Sequence, residues 1–181
     1  YSWKKSMKWS TYDLNWGRPL KSILALFNKK VVNFKFFHLE SSNHTMLGET
    51  GDIISKKIID FHSYCKLIES QNIVLDQEKR KKIVFDKIKK IIVSKNLKNS
   101  FNENLIDEVV NLVDKPNVLI GKFDEIYLKI PQEILIITMQ KHQKYFPLFD
   151  KNNKITNLFV VVANLPDKKG YIKVGNQKVI E

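Results

Sequence analysis

Apolar positions recur along the chain in two rhythms, and each change of rhythm marks an element. Leu20, Ile23, Leu24 and Phe27 fall at helical spacing behind Pro19, which predicts a helix opening at Gly17-Arg18-Pro19 and ending at Asn28-Lys29-Lys30. The period then drops to two. Val32, Phe34 and Phe36 alternate with Asn33 and Lys35, as in a strand with one apolar face. Glu40 to Asp52 is polar and carries Gly48 and Gly51, so it reads as a loop with His44 solvated, followed by a short strand at Ile53 and Ile54. Helices are predicted from Ile59 to Ser70 and from Gln77 to Lys95. The second has Asp76 as N-cap, Glu78 favourable to the helix dipole, and a buried stripe of Val84, Ile88, Ile91 and Ile92. Ser100 and Glu103 have capping-box spacing ahead of a broad apolar face of Leu105, Ile106, Val109, Val110, Leu112 and Val113, which Lys115-Pro116 stops.

Strands and helices then alternate. Asn117 to Phe123 reads as a strand, Asp124-Glu125 as a turn, and Ile130-Pro131-Gln132-Glu133 as a helix start. Tyr145 to Phe149 is a strand that Pro147 confines to an edge or an irregular position, because proline cannot donate to the ladder. A hairpin turn at residues 150–154 leads to Leu158–Ala163, uniformly apolar as in a central strand buried on both faces. Residues 164–170 form a loop, and Tyr171 onward turns helical. The mixture predicts an α+β fold, a mixed sheet of roughly four to six strands flanked by helices. The expectation is a single domain over residues 1–181, with residues 60–113 a candidate helical insertion. The chain opens on Tyr1 and closes at Val179-Ile180-Glu181 as a helical pattern begins, so it reads as a piece of a longer polypeptide.

Composition narrows the classes. With 43% hydrophobic, 28% charged and 11% aromatic residues, the chain is a folding one with a sizeable core. No apolar run is long enough for a transmembrane helix, and no basic-then-apolar leader pattern opens the chain, so a cytoplasmic protein without membrane contact is expected. Cys65, the one cysteine, sits among Phe61, Tyr64 and Ile68 and reads as a packed thiol, with no disulfide and no Cys-His metal spacing. The net charge of +12 points to a polyanionic partner, nucleic acid ahead of membrane. Lysine dominates the cations beside abundant Ile and Asn, so genomic bias shares in that surplus. In residues 1–16, Trp3, Trp9, Tyr12 and Trp16 interleave with Lys4, Lys5 and Lys8, either as a base-stacking surface or as rings packed on the body. Lys79, Lys82, Lys89 and Lys90 form a face that can track phosphates or simply be solvated. There is no Gly-rich phosphate loop, no Gly-x-Ser-x-Gly elbow and no His-x-x-x-His pair. His62 and Cys65 share a helix face, which fits core packing better than a nucleophile and its base. No catalytic, cofactor-binding or metal-ligating residue is therefore predicted.

One dense stretch stands apart. Thr138 to Pro147 holds Gln140, Lys141, His142, Gln143, Lys144, Tyr145 and Phe146 between the apolar runs Ile134–Ile137 and Leu158–Ala163. Such a cluster is rigidly placed, as a binding site requires, or is a solvated helix end running into an edge strand.

From Pro131 to Pro147, Pro-Gln-Glu-Ile-Leu-Ile-Ile-Thr-Met-Gln-Lys-His-Gln-Lys-Tyr-Phe-Pro resembles the signature region of the bacterial glycyl-tRNA synthetase beta subunit. Further segments agree in order: Lys5-Ser6-Met7-Lys8-Trp9, Arg18-Pro19 with Ile23-Leu24-Ala25-Leu26, Lys115 to Asp124 with its Pro-x-x-x-x-Gly-x-Phe-Asp pattern, Phe159 to Asn164, and Gly175-Asn176-Gln177-Lys178-Val179. The family's Thr-x-Gly-His-Arg-Phe loop is departed from at His44 to Glu49, and Gln177 and Lys8 replace a Glu and an Arg. The resemblance implies part of an α2β2 ligase that joins glycine to tRNA(Gly) with ATP. The ATP site and adenylate chemistry would lie in the alpha subunit, and tRNA recognition in the beta subunit. This N-terminal to middle stretch is similar to the B3/B4-like domain of phenylalanyl-tRNA synthetase. Three roles follow. One is a non-catalytic tRNA-binding and scaffold domain with Arg18, Lys141, His142 and Lys144 as candidate RNA contacts. Another is a purely structural domain organising the complex, with the motif around His142 buried. The last is a vestigial editing-like domain, for which glycine offers little need.

Overall fold

The computed structural model describes residues 5–48, 53–98 and 102–180. Trp3, Lys4, Ser100 and residues 49–52 of the expected loop lie outside them. The chain divides into two compact units, Tyr1–Ser70 and Gln71–Glu181. Their secondary structure is mixed α+β.

The first unit is built of short strands: β1 (Ile23–Leu24), β2 (Leu26–Phe27), β3 (Lys30–Val31), β4 (Lys35–Phe36), β5 (Leu39–Ser42), β6 (His44–Leu47) and β7 (Ile54–Lys57), closed by helix α1 (Phe61–Ser70). The predicted helix over residues 19–27 is replaced by β1 and β2. Ile23 and Leu24 pair in parallel with Ser41 and Ser42, and Leu26-Phe27 turns back antiparallel on Lys30-Val31. Non-local pairing thus overrides a helical period carried by four residues. Asn28 and Lys29 do punctuate the segment, as a two-residue hairpin loop with φ of 47° and 64°. The loop expected at residues 40–52 is also corrected, since β5 and β6 run through it. Ser41 explains part of this: its Oγ accepts from Phe34 N–H at 2.9 Å and donates to Val32 O at 2.7 Å, so a hydroxyl takes the place of ladder bonds. Of the strand expected at residues 32–36, only Lys35–Phe36 forms. The strands fall into a three-stranded sheet β1-β5-β4 and the hairpins β2-β3 and β6-β7. Leu14, Ile58 and Ile68 are the buried apolar side chains of this unit among its described residues. At the start of α1, Asp60 Oδ1 accepts from Ser63 N–H at 2.8 Å and Ser63 Oγ accepts from Asp60 N–H at 3.0 Å, a reciprocal cap.

The second unit is layered. Its elements are α2 (Gln77–Lys95), α3 (Glu103–Leu112), β8 (Asn117–Lys122), a 3-10 turn (Glu125–Lys129), α4 (Gln132–Ile137), a π-helical turn (Thr138–Gln143), β9 (Phe146–Phe149), β10 (Ile155–Ala163) and α5 (Tyr171–Ile180). Asp76 caps α2 as expected, by accepting from Lys79 N–H. Asn102 caps α3 by accepting from Leu105 N–H at 3.2 Å. The sheet is antiparallel, in the order β8-β10-β9. A mixed sheet of four to six strands is therefore not formed among the described residues; the strands divide between separate small sheets.

Alternation along β10 assigns its side chains to two cores. Val160, with Leu158 and Val162, meets Phe146, Leu148, Val118 and Ile120 on the face that Val84 and Ile88 of α2 and Leu105, Ile106, Val109 and Val110 of α3 cover. Phe159 and Val161 lie on the other face with Phe123, Leu135 and Met139, and Ile180 of α5 packs against that cluster. A strand covered on both faces has no polar face to alternate with, which is why residues 158–163 are apolar throughout. Pro147 sits on the outer strand β9 as predicted. Phe149 N–H points away from β10, to Lys98 O at 2.8 Å. Pleating puts the missing N–H of Pro147, two residues earlier, on that same outer side, where its absence costs no ladder bond.

Phe159 pairs across the sheet with Gly121 and lays its ring over that residue. A Cβ built on Gly121 would lie 2.2 Å from Phe159 Cζ. Gly121→Ala is therefore expected to displace the central ring and cost about 1–3 kcal/mol, measured by urea denaturation; Gly121→Ala combined with Phe159→Leu should recover part of the loss.

Candidate nucleic-acid interface

The dense polar stretch is a helix that changes pitch. From Gln132 to Ile137 it is α-helical, turning Leu135 into the core; over Thr138–Gln143 it widens to π geometry and turns Met139 there, fully buried. Lys144, at φ 60°, closes the π turn by donating its N–H to Met139 O, and Tyr145 N–H adds a second bond to that carbonyl at 2.8 Å. The chain is thereby aimed into β9. Lys141 and His142 are left on the outside and exposed, while Gln143 is half-buried. The motif around His142 is thus not enclosed.

Three interactions hold this junction. Tyr145 stacks on Phe159 with ring centroids 4.9 Å apart and 19° between planes. Its hydroxyl donates to Asn176 Oδ1 on α5, and Asn176 Nδ2 donates in turn to Ile172 O at 2.6 Å. Lys144 Nζ lies 2.8 Å from Glu108 Oε1 of α3. Of the candidate contacts, Lys141 and His142 are presented together, and Lys144 is committed to an ion pair. Arg18 is exposed in the first unit, ahead of β1. Asn176 and Glu108 carried no local signal toward this motif, because their partners lie 31 and 36 positions away in the chain.

A second cationic surface belongs to α2. Arg80 and Lys87 are absorbed structurally: Arg80 donates to Val110 O at 3.0 Å, Val74 O at 2.6 Å and Leu75 O at 2.8 Å, and Lys87 to Pro116 O at 3.0 Å. Lys81 pairs with Asp107 at 2.6 Å, and that hydrogen bond raises its pKa. Lys79, Lys82, Lys89 and Lys90 stay exposed on the outer side of α2. They lie on the layer opposite the π turn, since α2 and α4 cover different faces of the sheet. The fold does not merge the two cationic surfaces.

No group of His, Cys, Asp and Glu side chains that could hold a metal ion occurs among the described residues. Cys65 is half-buried and His62 exposed on α1. A cleft of about 440 Å³ in the first unit is lined by Ser22, Leu24, Leu26, Thr45, Ile58, Asp60, Phe61 and Tyr64.

Burial raises the pKa of Tyr145 above its ordinary 10.0. A phenol that resists ionisation in the fold adds stability that is complete below its unfolded pKa and is lost as pH rises through the folded one. Tyr145→Phe should cost about 1 kcal/mol at neutral pH through the lost bond to Asn176. The same variant should show a smaller loss of thermal stability than the parent above pH 10.

A family model described as glycyl-tRNA synthetase beta subunit matches residues 1–181. Similar curated proteins include the glycine–tRNA ligase beta subunits of Dictyoglomus turgidum, 36% identical over 178 residues (98% of this chain, 26% of the relative), and Rickettsia akari, 36% over 181 residues (99% and 27%). That of Rickettsia typhi is 37% identical over 164 residues (91% and 25%). The chain spans about a quarter of the length of these relatives.

Proposed function

The chain belongs to the glycyl-tRNA synthetase beta-subunit family, and from that premise we propose that it works within a glycine–tRNA ligase as a non-catalytic tRNA-binding and scaffold module. In this reading, ATP and adenylate chemistry reside in an alpha subunit, and the substrate met here is tRNA(Gly). The observation that carries the reading is the π turn. It spends Met139, Tyr145 and Lys144 on internal contacts and presents Lys141 and His142 outward. A pre-set cation with an adjacent imidazole contacts phosphate oxygens at little entropic cost. Arg18 and the α2 lysines extend the same chemistry to other surfaces, and Lys144 acts through its tie to Glu108. The sequence resemblance to a B3/B4-like domain stays within this proposal.

Affinity for tRNA(Gly), measured by fluorescence anisotropy, is expected to fall linearly with log salt. Lys141→Ala should reduce the magnitude of that slope by about 1, as one phosphate contact is removed. Absence of tRNA affinity at low salt would defeat the reading.

A second reading, a structural module seating other parts of the ligase, is favoured by the outer side of the same helix. Ile134 and Ile137 lie there three positions apart, both exposed, and Ile130 is exposed just ahead of the helix. Ile137→Lys is expected to leave the melting temperature of the polypeptide unchanged. If the stripe is a seat, the variant should fail to co-elute with the alpha subunit in gel filtration while keeping its tRNA salt slope.

A further inference from the structure

At the turn between β4 and β5 a large apolar side chain stands against backbone preference. Phe36 pairs with Leu39, so Phe37 and His38 form a two-residue hairpin loop. Phe37 has φ 52°, the left-handed region that a bulky residue rarely adopts, and glycine is the usual occupant of the first position in such loops. The β2-β3 hairpin opens its loop with Asn28, a residue type that tolerates this region. Retained strain of this kind marks a side chain kept for something other than folding.

The ring itself is poorly used by the fold, since Phe37 is 60% exposed. Everything behind it is braced. Phe36 meets Phe37 edge-on at 5.0 Å and 77°, and Trp16 meets Phe36 at 6.0 Å and 76°. On the other loop residue, Tyr12 stacks at 3.6 Å and 9°, and Trp9 meets the same imidazole edge-on at 6.1 Å. Lys35 and Glu40 clamp the hairpin stem at 2.6 Å. Trp9 and Trp16 are thus packing residues, and their effect is to hold one outward aromatic ring still.

We propose that Phe37 is a stacking platform for an unpaired nucleotide of the bound RNA. The inference rests on the tRNA-binding reading above and deepens it. A polyanionic partner is indicated by the net charge of +12. A single exposed ring face can engage only a base that has left the helical stack, so the contact is with a loop or end of the RNA and not with its duplex arms.

The test uses the full-length polypeptide that carries this chain, with its alpha subunit, and fluorescence anisotropy on a tRNA(Gly) transcript and a labelled single-stranded oligonucleotide. Phe37→Gly is expected to raise the melting temperature by relieving the backbone. It should weaken binding of both RNAs about fivefold or more, the scale of one lost base-aromatic stack. The salt slope should be unchanged, because no phosphate contact is removed. Phe37→Trp should bind within about twofold of the parent. If the parent binds tRNA and Phe37→Gly binds equally well, the stacking proposal is overturned and the tRNA-binding reading stands. If the parent shows no salt-dependent binding, that reading fails and this proposal falls with it. Loss of assembly with the alpha subunit at unchanged RNA affinity would make the ring a protein anchor and overturn the proposal. Should Phe37→Gly prove unstable, ultraviolet crosslinking of the parent to the oligonucleotide decides: an adduct on Phe37 supports the platform, and adducts confined to other residues overturn it.

Discussion

The second unit depends on one close approach. Phe159 stands in the middle of the central strand, and its ring fills the space where a side chain at position 121 would be. With that ring seated, Tyr145 can stack upon it, Phe123 can lie beside it with centroids 6.4 Å apart, and Leu135 and Met139 can close the same face. Each aromatic pair contributes on the order of 1 kcal/mol beyond its buried area. The arrangement also has little tolerance, because a packed interior cannot absorb a displaced ring without moving its neighbours. The glycine is there for space, in extended backbone, and not for conformational freedom.

From this centre the geometry of the exposed motif follows. Tyr145 is both the last residue of the π-turn junction and a member of the core, and its hydroxyl reaches Asn176 on α5. Two segments that resemble the same family in sequence, His142–Phe146 and Gly175–Val179, are thereby joined through one hydrogen bond. The signature divides its labour. Met139, Tyr145 and Phe146 are held inside, Lys144 is fastened to Glu108, and Lys141 with His142 is left facing outward. Two polar side chains thus stand on a rigid base.

The first unit works differently. Its strands are two to four residues long and its sheets are small, so many large side chains stay at the surface, Phe27 and Phe37 among them. Its stability rests on local devices: the Asp60–Ser63 cap, the Ser41 hydroxyl bridging Val32 and Phe34, and the aromatic buttress around the Phe37 loop. Such a surface offers rings and cations to a partner, whereas the second unit offers a stiff layered body.

The sequence by itself determined what is local. α2 was legible because Val84, Ile88, Ile91 and Ile92 repeat one period and Asp76 supplies its cap. The two-sided burial of β10 was legible because an unbroken apolar run has one economical place in a sheet. The edge position of Pro147 followed from its missing N–H. The prominence of residues 138–147, and the family they resemble, also lay in the sequence. Tertiary structure decided what depends on partners distant in the chain. Ile23 and Leu24 became a strand because Ser41 and Ser42 pair with them, a choice the helical spacing of four side chains cannot oppose. The pairing of Lys144 with Glu108 and of Tyr145 with Asn176 spans more than thirty positions in each case, and no local pattern encodes it. The strain at Phe37 arises the same way: a phenylalanine has no turn signature, and only closure of β4 on β5 forces its backbone to a positive φ. Local free energies select periods and caps, but pairing and packing are set by which distant side chains fill the same space.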